Sequence, residues 1–207
     1  MTQQNDTGLQ PDTEFKPLFE LVKLKQQKHG EKYDRFIVAV IELLRHEFPN
    51  VFGNMPGQNL AQMVSFADVI GEDSQRMMKR LQEACAGCGW CCSQTAGVIV
   101  TAEDAERISR KLKIKKTDYF AVNDGVWMIK KAHPCQWWNP RNGRCQIYNI
   151  RPQTCRTWPT LPNEKGQSCL QPVAECAYAV RVTAVKVLES LRKSEQEKMV
   201  QTGQPVK

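Results

Sequence analysis

The sequence lacks the features of an exported or membrane-spanning protein. Residues 1–13 contain neither the basic start nor the apolar stretch of a secretory signal. No run approaches the roughly 18 uninterrupted apolar residues that a membrane span needs. Because disulfides persist in oxidising compartments, we expect a cytoplasmic protein with reduced thiols and no membrane association.

The sequence also lacks paired histidines and a Gly-rich turn, which limits the kinds of metal and nucleotide site that it can form. The chain has only 3 histidines, and they show no paired ligand spacing, so His133 beside Pro134 and Cys135 is interpreted as a loop histidine. The only close glycines, Gly87 and Gly89, lie within a cysteine run rather than in a strand-to-helix turn. A Gly-rich nucleotide-binding turn is therefore not predicted, and this weakens the case for a methyltransferase.

The charge is moderately basic and evenly distributed. There are 29 Lys and Arg against 22 Asp and Glu, which gives a net charge of +7. Only a weak affinity for anions follows from this balance. One short run of lysines, which a solvated helix face explains, is the only hint of nucleic-acid binding, so we do not expect nucleic acid as a partner. These lysines are Lys111, Lys113, Lys115 and Lys116.

Cysteine is the residue that the chain has in excess. Seven of its 9 cysteines lie between Cys85 and Cys155, and the first four form a C-x2-C-x2-C-C run that ends at Cys92. Thiolates are the soft ligands that zinc and iron–sulfur clusters select. In a reduced compartment, this density predicts metal binding rather than a disulfide framework.

The spacing of the run leaves the grouping of the ligands open. Its first three cysteines match the spacing of bacterial ferredoxins, but Thr95 and Ala96 stand where the next cysteine and proline would follow. If Cys91 and Cys92 were extended, their side chains would point to opposite sides and would not reach one ion. Two neighbouring sites are then plausible, either two zinc ions or a cluster with a second metal.

The run, Pro134-Cys135, Gly143-Arg-Cys-Gln-Ile-Tyr148 and Arg151-Pro-Gln-Thr-Cys-Arg156 together resemble the CxxCxxCC family. This family includes YkgJ-type cysteine cluster proteins, described as zinc- or iron-chelating domains, and its motif also occurs in flagellin lysine N-methylases. The resemblance implies metal ligands at Cys85, Cys88, Cys91, Cys92, Cys135, Cys145, Cys155 and Cys169. Cys176 is instead assigned to the apolar stripe of a C-terminal helix, and thus to the core.

The periodicity predicts a mostly helical α+β fold with a small, loop-rich cysteine core that contains short strands. Tyr33, Phe36 and Val40 show helical spacing, and Pro49 is expected to end their helix. Further helices are expected to begin at Asp73 and Thr101, which can act as N-caps, and near Pro172. Short strands are predicted over Val98–Val100, Trp127–Lys130, Gln136–Trp138 and Gln146–Tyr148. The middle of the chain otherwise has few apolar residues, so bound metal would cross-link it. The predicted regions are a disordered N-terminus (1–13), N-terminal helices (14–84), a metal-binding core (85–170), a C-terminal helix (171–193) and a disordered tail (194–207).

We therefore predict a metal-binding cysteine cluster protein, with a [4Fe–4S] cluster favoured over zinc and no reaction assigned. One alternative is a zinc-stabilised interaction module whose N-terminal helices bind a protein partner. The other is an iron–sulfur-dependent enzyme, either similar to the lysine N-methylases or active in redox chemistry. No catalytic residue is assigned from the sequence.

Overall fold

The computed structural model describes residues 16–70, 87–162 and 168–202, and it is mostly helical with small sheets, as predicted. The chain divides into two compact units. The helical unit comprises residues 1–71 and 183–207, and the cysteine unit comprises residues 72–182. No helix in the part that the structure describes is long and apolar enough to cross a membrane.

Four helices and the end of a fifth form the described part of the helical unit. They are α1 (Lys16–His29), α2 (Glu31–Glu47), α3 (Pro49–Phe52), α4 (Gly57–Val69) and the later turns of α9 (Ala177–Thr202). The first two lie where the periodicity predicts them. Pro49 was expected only to end α2, but it also begins α3, because proline suits the first position of a helix.

The core of the helical unit follows the apolar face of α2. Phe36, Val40 and Leu44 are fully buried, as are Leu60 and Val64 of α4. The spacing of three or four residues places these side chains on one stripe of each helix, so the two stripes can pack together. The same spacing allowed the helices to be predicted from the sequence.

One carboxylate is buried inside the helical unit. The Asp68 side chain forms an ion pair with Nζ of Lys25, and its carboxylate is completely shielded from solvent. Nζ of Lys186, from α9, donates a 3.0 Å hydrogen bond to the backbone carbonyl of Asp68. Buried charges need such partners because desolvation is costly. This network joins three helices of the unit through one residue.

A three-stranded antiparallel sheet forms one side of the cysteine unit. Its strands are β1 (Ile99–Val100), β2 (Phe120–Asn123) and β3 (Val126–Ile129), in the order β1-β3-β2. The strands predicted near Val98 and Trp127 are confirmed, but β2 was missed. Asp124 and Gly125 close the β2–β3 hairpin with φ of 49° and 78°, which Asp and Gly tolerate better than most residues do.

Short helices and two small hairpins complete the described part of this unit. They are α5 (Trp90–Gln94), α6 (Ala102–Leu112), α7 (Lys116–Tyr119), α8 (Gln153–Thr157), the β4–β5 pair (Trp138–Asn139 and Arg144–Cys145) and the β6–β7 pair (Thr160–Pro162 and Ser168–Leu170). Helix α6 begins as predicted, with the Thr101 hydroxyl accepting a 3.0 Å hydrogen bond from the Asp104 amide. The strand predicted over Gln146 to Tyr148 is not formed, and a 3-10 helix spans Tyr148–Ile150.

The cysteine unit has an apolar core of its own, larger than its sequence suggested. Ten buried side chains cluster there, with Phe120 against Trp137 at 5.7 Å between ring centroids. The size of this core was not predicted from the sequence, because each short element contributes only one or two of its residues. Cys92, Cys145 and Cys155 pack against its edge. The core residues are Val98, Val100, Ala105, Ile108, Phe120, Ile129, Ala132, Cys135, Trp137 and Ile147.

The C-terminal helix differs from the prediction at both ends. It begins at Ala177 rather than near Pro172, because residues 171–176 form tight turns with hydrogen bonds such as Cys176 N to Val173 O at 3.1 Å. It continues to Thr202, so residues 194–202 are helical where a disordered tail was predicted. The predicted disordered N-terminus and the helix expected from Asp73 lie outside the described residues.

Candidate metal centre

A close backbone contact fixes the start of the cysteine run. Gly89 has φ of 70° and precedes α5, which carries Cys91 and Cys92. A Cβ at Gly89 would lie 1.7 Å from the carbonyl oxygen of Gly143, in the turn between β4 and β5. Only glycine therefore fits, both for its backbone conformation and for this approach. The contact brings the run against the hairpin that carries Cys145.

The remaining cysteines come from three separate elements. The amide of Cys135, in the loop after β3, donates a 2.8 Å hydrogen bond to the carbonyl of Cys92. Cys145 lies in β5, paired with Trp138. Cys155 lies in α8, which follows the 3-10 helix. Residues far apart in sequence thus converge on α5.

These elements enclose a cavity of about 100 Å³, here called the thiol cavity. Seven cysteines line it: Cys88, Cys91, Cys92, Cys135, Cys145, Cys155 and Cys176. None of the eight cysteines that the structure describes is in a disulfide. Cys169 is absent from the lining, and Cys85 lies outside the described residues.

Cys92 is the central thiol of the group. Its side chain interacts by hydrogen bonding with those of Cys135, Cys145 and Cys91, and these contacts raise the pKa of the Cys92 thiol. The same contacts lower the pKa of Cys91 and of Cys135 to about 7 each, and they also lower that of Cys145. One thiol proton cannot serve three acceptors at once. A cation at this position would instead stabilise all four thiolates together.

Cys155 has a different environment. Burial, followed by the charges of the nearby thiols of Cys91, Cys135 and Cys145, raises the pKa of its thiol to about 12. Only Arg151 acts in the opposite direction. Cys155 would thus become a thiolate most readily beside a bound cation, since a metal favours the deprotonated ligand.

Two arginines line the thiol cavity. The Arg151 guanidinium lies 3.8 Å from the centre of the Tyr148 ring and donates a 2.7 Å hydrogen bond to the Tyr148 carbonyl. Arg156 donates to the carbonyl of Arg151 at 3.1 Å. Such fixed cations can offset the excess negative charge of several thiolates. Arg141, in the turn between β4 and β5, and Arg144, in β5, are instead exposed.

Aromatic side chains form part of the cavity wall, although Cys88 and Cys91 are exposed. Trp90, Trp137 and Trp158 line the cavity. The indole N–H of Trp158 is buried and has no acceptor among the residues that the structure describes. A donor of this kind suits a sulfur acceptor, since hydrogen bonds to sulfur tune metal centres. Trp158 was not predicted as a site residue, and its signal in the sequence is its position three residues after Cys155.

The thiols therefore have the donor chemistry that a sulfur-preferring metal requires, but they are not arranged as a complete set of ligands. Within residues 16–70, 87–162 and 168–202, no three His, Cys, Asp or Glu side chains stand in an arrangement that could hold a metal ion. The thiols, the two cations and the unpaired indole donor nevertheless face one space.

A comparison with protein families agrees with this chemistry. Residues 84–177 match the model of the CxxCxxCC family, described as "Putative zinc- or iron-chelating domain". Over this segment the chain is similar to the CxxCxxCC family. The matched residues include all seven cysteines of the thiol cavity. The comparison with solved structures found no match.

The conformation of the two adjacent cysteines differs from the one considered from the sequence. Cys91 and Cys92 are not extended but lie on α5, and both face the thiol cavity. The reason for expecting them to serve two different sites is therefore removed. Adjacent residues of a helix differ by about 100° in direction, which allows both side chains to reach one space.

The placement of the last two cysteines also differs from expectation. Cys176 precedes α9 rather than lying on its stripe, and it faces the thiol cavity instead of a helix core. The wrong start of the predicted helix caused this error. Cys169 lies in β7 opposite Leu161, and its ligand role remains a prediction. His133 is exposed on the surface, with Nδ1 3.2 Å from the Thr95 carbonyl oxygen.

Proposed function

We propose that the cysteine unit binds an iron–sulfur cluster in the thiol cavity. The observation that carries this proposal is that seven thiols line one small space. A structural zinc ion takes four ligands in a tetrahedron. Seven thiols in one cavity exceed that requirement, and they supply ample ligands for a cluster held by four cysteines.

The size and surroundings of the cavity support the cluster. Its volume of about 100 Å³ is several times the roughly 10–15 Å³ that holds one water molecule, so it has room for more than a single ion. Arg151 and Arg156 supply positive charge, and the Trp158 indole supplies a donor. These features compensate a negatively charged, sulfur-rich group better than they would a neutral one.

The proposed roles follow the contacts. Cys91, Cys92, Cys135 and Cys145 form the mutually interacting set, and they are the first candidates for ligands. Cys88, Cys155 and Cys176 face the same cavity and can complete or replace members of this set. Cys85 and Cys169 remain candidates by the family pattern. Because thiolate ligands require reducing conditions, the proposal includes a cytoplasmic location.

Anaerobic purification of the full chain tests the cluster. Iron and acid-labile sulfide should be present together, with a broad visible absorbance near ~400 nm that is typical of thiolate-ligated clusters. Cys92→Ser should abolish the iron and the absorbance, since Cys92 contacts three other thiols. Colourless protein with stoichiometric zinc would refute the cluster while leaving metal binding intact.

Cys169→Ser is the matched control. It makes the same chemical change in the same domain at a cysteine that does not line the cavity. If the ligands are the cysteines that line the cavity, at least about 80% of the iron should be retained, whereas a larger loss would make Cys169 the ligand that the family pattern predicts. Equal loss of iron from Cys92→Ser and Cys169→Ser would contradict the ligand set.

A further inference from the structure

A second cavity lies on the face of the three-stranded sheet that carries Ala121 and Met128. Its volume is about 690 Å³, and we call it the basic groove. Ala121 of β2 and Met128 of β3 are paired across the sheet and form its floor. Gly97 precedes β1 and forms part of one wall, where its lack of a side chain leaves the Met128 methyl group accessible.

The apolar floor continues beyond the groove. Ile99 is paired with Met128 and so points to the same face of the sheet, and it is 56% exposed. Val126 lies on this face two residues before Met128 and is 41% exposed. A continuous exposed apolar surface of this kind marks an interaction site more often than isolated apolar side chains do.

The rim of the groove is basic. Lys130, Lys131 and His133 line it and are exposed, and none of the described residues that line it is acidic. The rim is thus positive on the side where the chain leaves β3. An occupant with carboxylates at this rim and apolar groups on the floor would be complementary to both.

The groove and the thiol cavity share a wall. Ile129 lines both of them. The loop from Lys131 to Gln136 borders the groove and carries Cys135, whose amide is bonded to the carbonyl of Cys92. An occupant of the groove would therefore lie directly across one loop from the thiols.

We propose that the basic groove binds an extended acidic segment of a partner protein. Its carboxylates pair with Lys130 and Lys131, and its apolar side chains pack on Met128 and Ala121. A peptide fits because extended chains alternate their side chains, so apolar and acidic groups can point to floor and rim. Single-stranded nucleic acid fits less well, because the described residues lining the groove include no Phe, Tyr or Trp and offer only the His133 imidazole for stacking with bases.

Fluorescence anisotropy on the full, metal-replete chain tests this proposal. The probe is a fluorescein-labelled octapeptide of alternating Glu and Leu, and the comparison peptide carries Gln in place of Glu. We expect the Glu peptide to bind at least about tenfold more tightly, with a preference that shrinks as salt is added. Equal binding of the two peptides would overturn the proposal.

Charge reversal locates the site. Lys130→Glu combined with Lys131→Glu should weaken binding of the Glu peptide by about tenfold or more. Lys111→Glu combined with Lys115→Glu makes the same change in net charge within the cysteine unit, at residues that do not line the groove, and it should weaken binding less than about threefold. Equal weakening by the two pairs would show attraction by overall charge and refute the site.

Two further measurements complete the design. Lys130→Gln with Lys131→Gln replaces the reversal if that variant is unfolded by circular dichroism, and it should still weaken binding at least about threefold. A labelled oligothymidylate serves as the competing ligand. If it binds more tightly than the Glu peptide and loses affinity in the groove variant, the partner is nucleic acid and the peptide proposal fails.

Discussion

The helical unit and the cysteine unit are stabilised in different ways. In the helical unit, helices of 13 and 17 residues bury repeated positions such as Phe36, Val40 and Leu60. In the cysteine unit, strands of two to four residues each contribute one or two side chains to the core. The first unit depends on the periodicity of long elements, and the second depends on the convergence of short ones.

The two units also differ in how they treat buried polar groups. Asp68 in the helical unit is paired with Lys25 of the same unit, so its charge is satisfied internally. The clustered thiols of the cysteine unit face one another, and all would carry the same charge when ionised. An internal ion pair stabilises a fold, whereas a cluster of like groups calls for an external cation. This difference is consistent with metal binding by the cysteine unit.

The largest expected effect tests the core of the helical unit. Phe36→Ala should lower the free energy of unfolding by about 3–5 kcal/mol, because Phe36 is fully buried and a cavity would remain. Denaturant unfolding followed by circular dichroism measures the loss. Val38→Ala, at a position 52% exposed on the same helix, should change stability by less than about 0.5 kcal/mol. If Phe36→Ala cost no more than its control, the proposed core would be wrong.

The next prediction tests the backbone contact under the metal centre. Gly89→Ala should cost about 1–2 kcal/mol from its positive φ alone, and more because the added Cβ would meet the Gly143 carbonyl at 1.7 Å. We also expect the bound metal to be lost. Metal analysis together with denaturant unfolding measures both effects.

Gly125→Ala is the matched control for Gly89→Ala. Gly125 has a similar φ of 78°, but nothing lies within 4 Å of an added Cβ. It should incur only the conformational cost and retain its metal. Equal effects of the two substitutions would mean that the contact with Gly143 does not position the cysteine run.

A smaller effect is expected at the buried carboxylate. Asp68→Asn keeps the shape but removes the charge that pairs with Lys25, so we expect a loss of about 1–3 kcal/mol. Metal content per folded molecule should be unchanged. Asp118→Asn is the control, because this exposed residue makes no side-chain ion pair among the described residues. Loss of metal from Asp68→Asn would contradict the conclusion that metal binding does not depend on the buried carboxylate of the helical unit.

The smallest effect concerns a helix cap in the cysteine unit. Thr101→Ala removes the hydroxyl that accepts from the Asp104 amide, and it should cost about 1 kcal/mol. Thr117→Ala, at an exposed position in α7, should cost less than about 0.5 kcal/mol. Thermal unfolding of both variants with metal bound gives the comparison. A larger loss of stability from Thr117→Ala than from Thr101→Ala would contradict the role of Thr101 as the helix cap.

The predictability of the fold varies with element length. Helices α2 and α6 were predicted closely, since their apolar spacing and the Thr101 cap are local signals. Strand β2 and the β6–β7 pair were not predicted, because strands of three or four residues are stabilised by partners distant in sequence. The start of α9 was misplaced by several residues, because Pro172 can begin a helix but here precedes a turn.

The candidate site shows the same division. The thiol-rich composition and the run from Cys88 to Cys92 identified a metal-binding region without a structure. Cys176 lines the cavity where Cys169 was predicted, and Trp158 lines it as well. Neither placement could be inferred from the spacing of residues in the sequence. Both depend on where the chain turns after α8, which no local pattern in the sequence specifies.

The sequence by itself determined the chemistry of this protein, because the type and number of donor atoms are properties of its residues. Clustered thiols specify a soft metal wherever they are placed. Only the tertiary structure decided which thiols share one cavity, since this depends on contacts such as that between Gly89 and Gly143. The basic groove likewise arises only when β3 and the loop after it bring Met128, Lys130 and Lys131 to one face.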